Sequence, residues 1–124
     1  IINVSGLLAR QANSIVGSIR NVSLVAMTKN LADELGPKGI NVTVVHPGMT
    51  WTEKTPNMLK TRAESLNVTL EHVRQQISES NSIRKVVDAR DIAYVVCFLA
   101  SPKSISINGD VIAAGGGVIG QIYY

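Results

Sequence analysis

Serine and histidine are the first side chains to weigh for chemistry, because an imidazole beside a hydroxyl can take its proton and create a nucleophile. The sequence has two histidines, His46 and His72, and Ser5 with His46 is the pairing on offer. No G-x-S-x-G turn presents that serine, and a hydrogen-bonded histidine at a strand end is the simpler reading of His46. Neither histidine has a second Cys or His at ligand spacing, so no metal site is expected. The single Cys97 excludes an internal disulfide and a Cys-rich zinc site. Within its apolar surroundings it reads as a small hydrophobe. Gly115, Gly117 and Gly120 spell G-x-G-x-x-G, which cradles a pyrophosphate when a helix follows it. Four residues follow Gly120, too few for that helix, so these glycines are expected to turn the chain after a strand. Asn3, Asn21, Asn41 and Asn67 each open an N-x-[ST] triplet. Three of them fall in expected strands or a helix, so chance accounts for the pattern.

The elements that would position these residues alternate between strand and helix. Ile1–Ser5 is β-branched and reads as a buried strand, closed by Gly6. Residues 6–16 read as loop. From Ser18 to Leu35 the apolar residues Ile19, Val22, Ala26, Leu31 and Leu35 recur at helical spacing, and Gly36-Pro37 is the stop signal. Ile40–Val45 is a second strand, stopped by Pro47-Gly48. Strand, helix, strand over this span is a βαβ unit with parallel strands. Pro56–Ser65 predicts a short helix, and Thr69 caps another through Gln76. Asp88 stands three residues before Asp91, a capping-box start for the helix over 92–100. That helix is apolar on nearly every side, which predicts burial between two layers. Asn108-Gly109 is a turn, and Asp110–Ala114 the last strand. The pattern is α/β: three parallel strands with flanking helices in a single segment over residues 1–124.

Composition excludes several function classes. The 124 residues carry 12 Lys and Arg against 9 Asp and Glu, and 45% are hydrophobic, which is too apolar for a disordered chain. The basic residues are scattered and aromatics make up 4%, so neither a basic stripe nor a stacking platform points to nucleic acid. No apolar run reaches the ~18 residues of a membrane span. The start at Ile1 has neither an initiator Met nor a signal-peptide layout, and the expected location is cytoplasmic.

Four blocks in order resemble the C-terminal half of the short-chain dehydrogenase/reductase family. They are the first strand from Asn3, the stretch Met27–Thr52 (MTKNLADELGPKGINVTVVHPGMTWT), Arg84–Ala100, and Ser101–Gly117. The resemblance implies half of a Rossmann-type doubly wound parallel sheet, with NAD or NADP as cofactor. It also implies that the glycine-rich phosphate loop belongs to a missing N-terminal half or a partner chain. Residues 50–86 take the place of a substrate lid. Pro47, Gly48, Met49 and Thr52 match the segment that meets the nicotinamide.

The family's chemistry uses a Ser, and a Tyr and Lys spaced Y-x-x-x-K on one helix face, where the ammonium lowers the phenol's pKa. By the same resemblance, the Ser position falls on Gly6 with Ser5 beside it, the Tyr position on Gly17 and the Lys position on Asn21. The tyrosines are Tyr94, Tyr123 and Tyr124, and none has a Lys four residues later. The readings that follow are part of an NAD(P)-dependent oxidoreductase with degenerate catalytic residues, acting if active on a small carbonyl or alcohol, or a non-catalytic relative serving as scaffold or regulatory subunit. In either case the 18–35 helix is expected to pair with its counterpart in a homo-oligomer. An unrelated binding module would instead show an antiparallel sheet or a closed barrel. Ile1–Ser5 is expected to be an uncovered sheet edge that leaves the isolated chain poorly stable.

Overall fold

The computed structural model describes residues 1–12, 14–120 and 122. Strands β1 (Ile2–Val4), β2 (Thr43–Pro47) and β5 (Val111–Ala114) form one sheet in the order β1-β2-β5, with both pairings parallel. This is the α/β arrangement expected of a partial doubly wound sheet, and it removes the antiparallel alternative. The middle strand is the core: Val44, Val45 and His46 are fully buried. β1 lies at the sheet edge, with Ile1 and Val4 more than half exposed.

β2 begins three residues later than its β-branched run suggests. Its approach is used for docking: the Ile40 N–H donates to the Leu35 carbonyl, and the Asn41 amide donates to the carbonyls of Ile105 and Ile107. Asn41 therefore sits before the strand, while Asn3 lies in β1.

Helix α1 (Ile15–Leu35) starts three residues before the expected Ser18 because Ser14 caps it, its Oγ accepting from the Gly17 N–H at 3.1 Å. The segment read as loop holds a 3₁₀ turn, Leu7–Arg10. At the far end the left-handed glycine is Gly39, φ +77°, rather than Gly36, which keeps helical geometry. The buried stripe of α1 is Gly17, Asn21, Thr28 and Ala32. Small side chains let the helix lie close on the sheet, where the Asn3 amide donates to Thr28 Oγ1 at 2.9 Å. Ile19 and Val22, which gave the helix its periodicity, face outward.

The polar middle is a sub-structure with its own core. Helices α2 (Thr55–Leu66) and α3 (Leu70–Glu79) bury Leu59, Ala63, Val73 and Ile77 together, with Met49, Trp51 and Val86 packed against them. The Thr69 cap forms, its Oγ1 accepting from the His72 N–H. Asn67 ends α2 in the left-handed conformation. A second parallel pair, β3 (Thr50–Trp51) with β4 (Val87–Asp88), ties this region to the sheet unit. Strands of two residues have no sequence signature.

Helix α4 (Ala89–Leu99) opens with the expected box: Asp88 Oδ1 accepts from the Arg90 N–H, and Asp91 Oδ2 accepts from the Asp88 N–H. It is not sandwiched. Leu99 is its one fully buried residue, while Tyr94, Cys97 and Phe98 are exposed. Composition shows that a helix is apolar, and it says nothing of which sides find partners within the same chain.

Candidate active site

The end of β1 and the first turns of α1 bring Ser5, Gly6, Gly17 and Asn21 together. The Ser5 hydroxyl donates to Asn21 Oδ1 at 2.8 Å, and Asn21 Nδ2 donates to the Gly17 carbonyl at 2.7 Å. A Cβ at Gly6 would stand 3.5 Å from Asn21 Oδ1. Ser5, Gly6 and Gly17, as many as sixteen residues away, thus converge on the buried Asn21 amide, whose oxygen and nitrogen each have a hydrogen-bond partner. Asn21 is 6% exposed, so its dipole serves the fold.

Position 17 has no room for a side chain as the neighbours stand. A Cβ there would lie 2.9 Å from Leu8 Cδ1 and 3.2 Å from Ser14 Oγ. The 3₁₀ turn thus fills this space from above. Its other leucine, Leu7, is buried and reaches the glycines at the ends of β2 and β5: a Cβ at Gly48 would meet Leu7 Cδ1 at 3.3 Å and the Gly115 Cα at 2.9 Å. The roles of Leu7 and Leu8 had no signal in the sequence, because a Leu-Leu pair after a strand has no distinctive spacing.

The second group, Pro47, Gly48, Met49 and Thr52, lies where β2 turns into β3. Gly48 has no space for a side chain, so this turn presents main chain. Thr50 Oγ1 closes it by donating to the Gly48 carbonyl at 3.0 Å. Thr55 Oγ1 accepts from the Thr52 N–H at 2.8 Å and shares a hydrogen bond with Thr52 Oγ1 at 3.3 Å. One such bond leaves the Thr52 hydroxyl capacity for another. The close approach at Gly48 is to Leu7 and Gly115 of the same chain, which leaves the Thr52 hydroxyl as the group of this turn with hydrogen-bonding capacity to spare. The Asn21 group does not fit proton exchange, since it offers neither a titrating phenol nor a charge.

His46 stands one step beyond the Val4–Val45 pair, beside Ser5. No hydrogen bond joins them: Ser5 is committed to Asn21, and neither His46 ring nitrogen has a partner among the described residues. The expected hydrogen-bonded histidine is therefore corrected to a buried one without such a bond. Burial, and next the positive charge of Arg10, holds its pKa below the ordinary 6.5. The imidazole is neutral at pH 7. Among the described residues no group of three or more His, Cys, Asp or Glu is placed to hold a metal, and no helix is long and apolar enough to cross a membrane. At the glycine run, Gly116 and Gly117 take φ of +74° and +75° and turn the chain after β5. Tyr123 and Tyr124 lie outside the described residues.

Comparison with known proteins identifies the family. A family model described as enoyl-(acyl carrier protein) reductase matches residues 1–119. The chain is 28% identical to the NADPH-dependent reductase BacG of Bacillus subtilis, over 98% of this chain and 48% of that one. It is 30% identical to the 3-oxoacyl-[acyl-carrier-protein] reductase FabG of Aquifex aeolicus, over 95% of this chain and 44% of that one. A short-chain dehydrogenase family protein from Francisella tularensis superposes with a TM-score of 0.88 at 25% identity, covering 98% of this chain and 51% of its own. The chain thus spans about half the length of these relatives. By the family match over residues 1–119 and the shared parallel-sheet fold, the chain belongs to the short-chain dehydrogenase/reductase family.

Proposed function

We propose that this chain is part of an NAD(P)-binding, oxidoreductase-type protein in which the residues for proton transfer are degenerate. The observation that carries the reading is the Asn21 amide, held at both ends by Ser5 and Gly17 where the family's ammonium would be expected. Leu8 supports it by filling the space at Gly17. The relative BacG is named as NADPH-dependent, and the turn at Pro47, Gly48, Met49 and Thr52 retains a form that suits a nicotinamide. The phosphate end of the cofactor would be held by an N-terminal half or partner chain. Any substrate would be a small carbonyl or alcohol.

The test is cofactor binding and turnover measured side by side on the full-length protein. NADH and NADPH should bind with reduced affinity when Thr52 is replaced by Val, while a panel of carbonyl compounds elicits no oxidation above background near neutral pH. Turnover that disappears with Thr52→Val overturns the degenerate reading, and absence of cofactor binding overturns the nucleotide reading.

A second reading, a non-catalytic scaffold or regulatory subunit, has its own support. Ile15, Val16 and Ile19 at the start of α1 are 81%, 75% and 66% exposed, a patch suited to packing against a sister helix. Sedimentation of the full-length protein tests it: Ile19→Ser with Val22→Ser should shift the mass toward monomer. An unchanged mass removes this role for α1.

A further inference from the structure

On the far side of the α2–α3 region, a cleft of about 380 Å³ opens between Trp51, Arg74, Ser78 and the 84–88 segment. Three of its lining residues are cations (Arg74, Arg84 and Lys85) and one is an acid, Asp88. Asp88 Oδ1 is engaged in capping α4. Lys29 pairs with Asp33 elsewhere, on α1. We propose that this cleft is a binding site for a small oxyanion, a carboxylate or phosphate group.

Two of the cations have restrained side chains, and the main chain that carries the third is held in place. Arg74 is held with its guanidinium 5.4 Å from the Trp51 ring centroid, a cation–π contact that restricts the side chain. Arg84 adopts φ +53°, a conformation costly for a residue with a side chain, and its Nη1 is pinned by donating to the Glu79 carbonyl at 2.9 Å. The main chain at Lys85 is clamped on both sides by the buried Asn81 amide, which donates to the Lys85 carbonyl at 2.7 Å and accepts from its N–H at 3.3 Å, so the backbone from which the ammonium extends is fixed. The turn itself is fastened to the C-terminal glycines, the N–H groups of Ser82 and Ile83 donating to the carbonyls of Gly117 and Gly116. A turn whose main chain is already hydrogen-bonded, beside an aromatic ring, lowers part of the ordering cost of binding. Guanidinium and ammonium donors together suit an oxyanion. This site is separate from the Asn21 cluster and does not depend on how that cluster functions.

Trp51 is the only tryptophan in the sequence, so its emission reads the cleft directly. The full chain is titrated with sodium phosphate and with sodium acetate at constant ionic strength, with chloride as reference. The expected result is a saturable change with at least one of the two oxyanions and none with chloride. Phosphate alone identifies a phosphate group, acetate alone a carboxylate, and both a general oxyanion site. Arg84→Gly, which relieves the backbone conformation while removing a charge, and Lys85→Gln should each weaken half-saturation about fivefold or more. A response that is linear, equal to chloride, or unchanged in both variants overturns the proposal.

Discussion

The α2–α3 region and the sheet unit solve burial in opposite ways. In the former, apolar residues on two short helices face each other and close a core of Leu59, Ala63, Val73 and Ile77. In the latter, α1 places glycine, amide and hydroxyl groups against the sheet and turns Ile15, Val16 and Ile19 outward, while α4 leaves Tyr94 and Phe98 in solvent. The first region closes a core between its own helices, with Met49, Trp51 and Val86 packed on it, while Met58, Leu66 and Leu70 remain exposed. The second leaves an outward apolar face and a strand edge open to solvent.

The largest expected effect breaks the self-contained side. Leu59→Ala or Ile77→Ala should cost about 2–5 kcal/mol, with chemical denaturation and protection of α2 and α3 amides as the measure. Loss of protection confined to α2 and α3 would sharpen the contrast, and loss across β2 as well would break it. Next comes acidification of the sheet unit. With its folded pKa below the unfolded 6.5, His46 favours folding fully above 6.5, and that contribution is lost as pH falls through the folded value. Stability should therefore decline below pH 6.5, and His46→Asn should flatten that limb in a pH series of melts.

Removing the α4 cap with Asp88→Ala should cost about 1 kcal/mol, read from thermal unfolding. The smallest effect is on the outward face: Ile19→Ser should change monomer stability by no more than about 0.5 kcal/mol, yet reduce aggregation of the isolated chain measured by light scattering. A large loss of stability there would mean that α1 uses its outer face internally, and the contrast would fail.

Much of the frame was legible in the residues. The β-branched runs around Val4 and Val44 marked the strands, Asp88 with Asp91 marked the start of α4, and Thr69 marked that of α3. What was hidden depended on tertiary geometry. The Ser14 cap was masked by Gly17, whose poor helix propensity argues against a helix there until one sees that its smallness admits Leu8. The periodic apolar residues of α1 gave the right helix and the wrong buried face, since small polar side chains pack on the sheet. Of the candidate site, the positions Gly6, Gly17 and Asn21 were found by likeness to the family. That Ser5 and Gly17 occupy both ends of the Asn21 amide needed coordinates. The left-handed backbone at Arg84 leaves no trace in residue type.

The fastening of Ser82 and Ile83 to the glycine carbonyls has a mechanical consequence. The polypeptide after β5 braces the rim of the basic cleft, so the 82–83 turn beside Arg84 and Lys85 depends for its two amide partners on the Gly116–Gly117 bend.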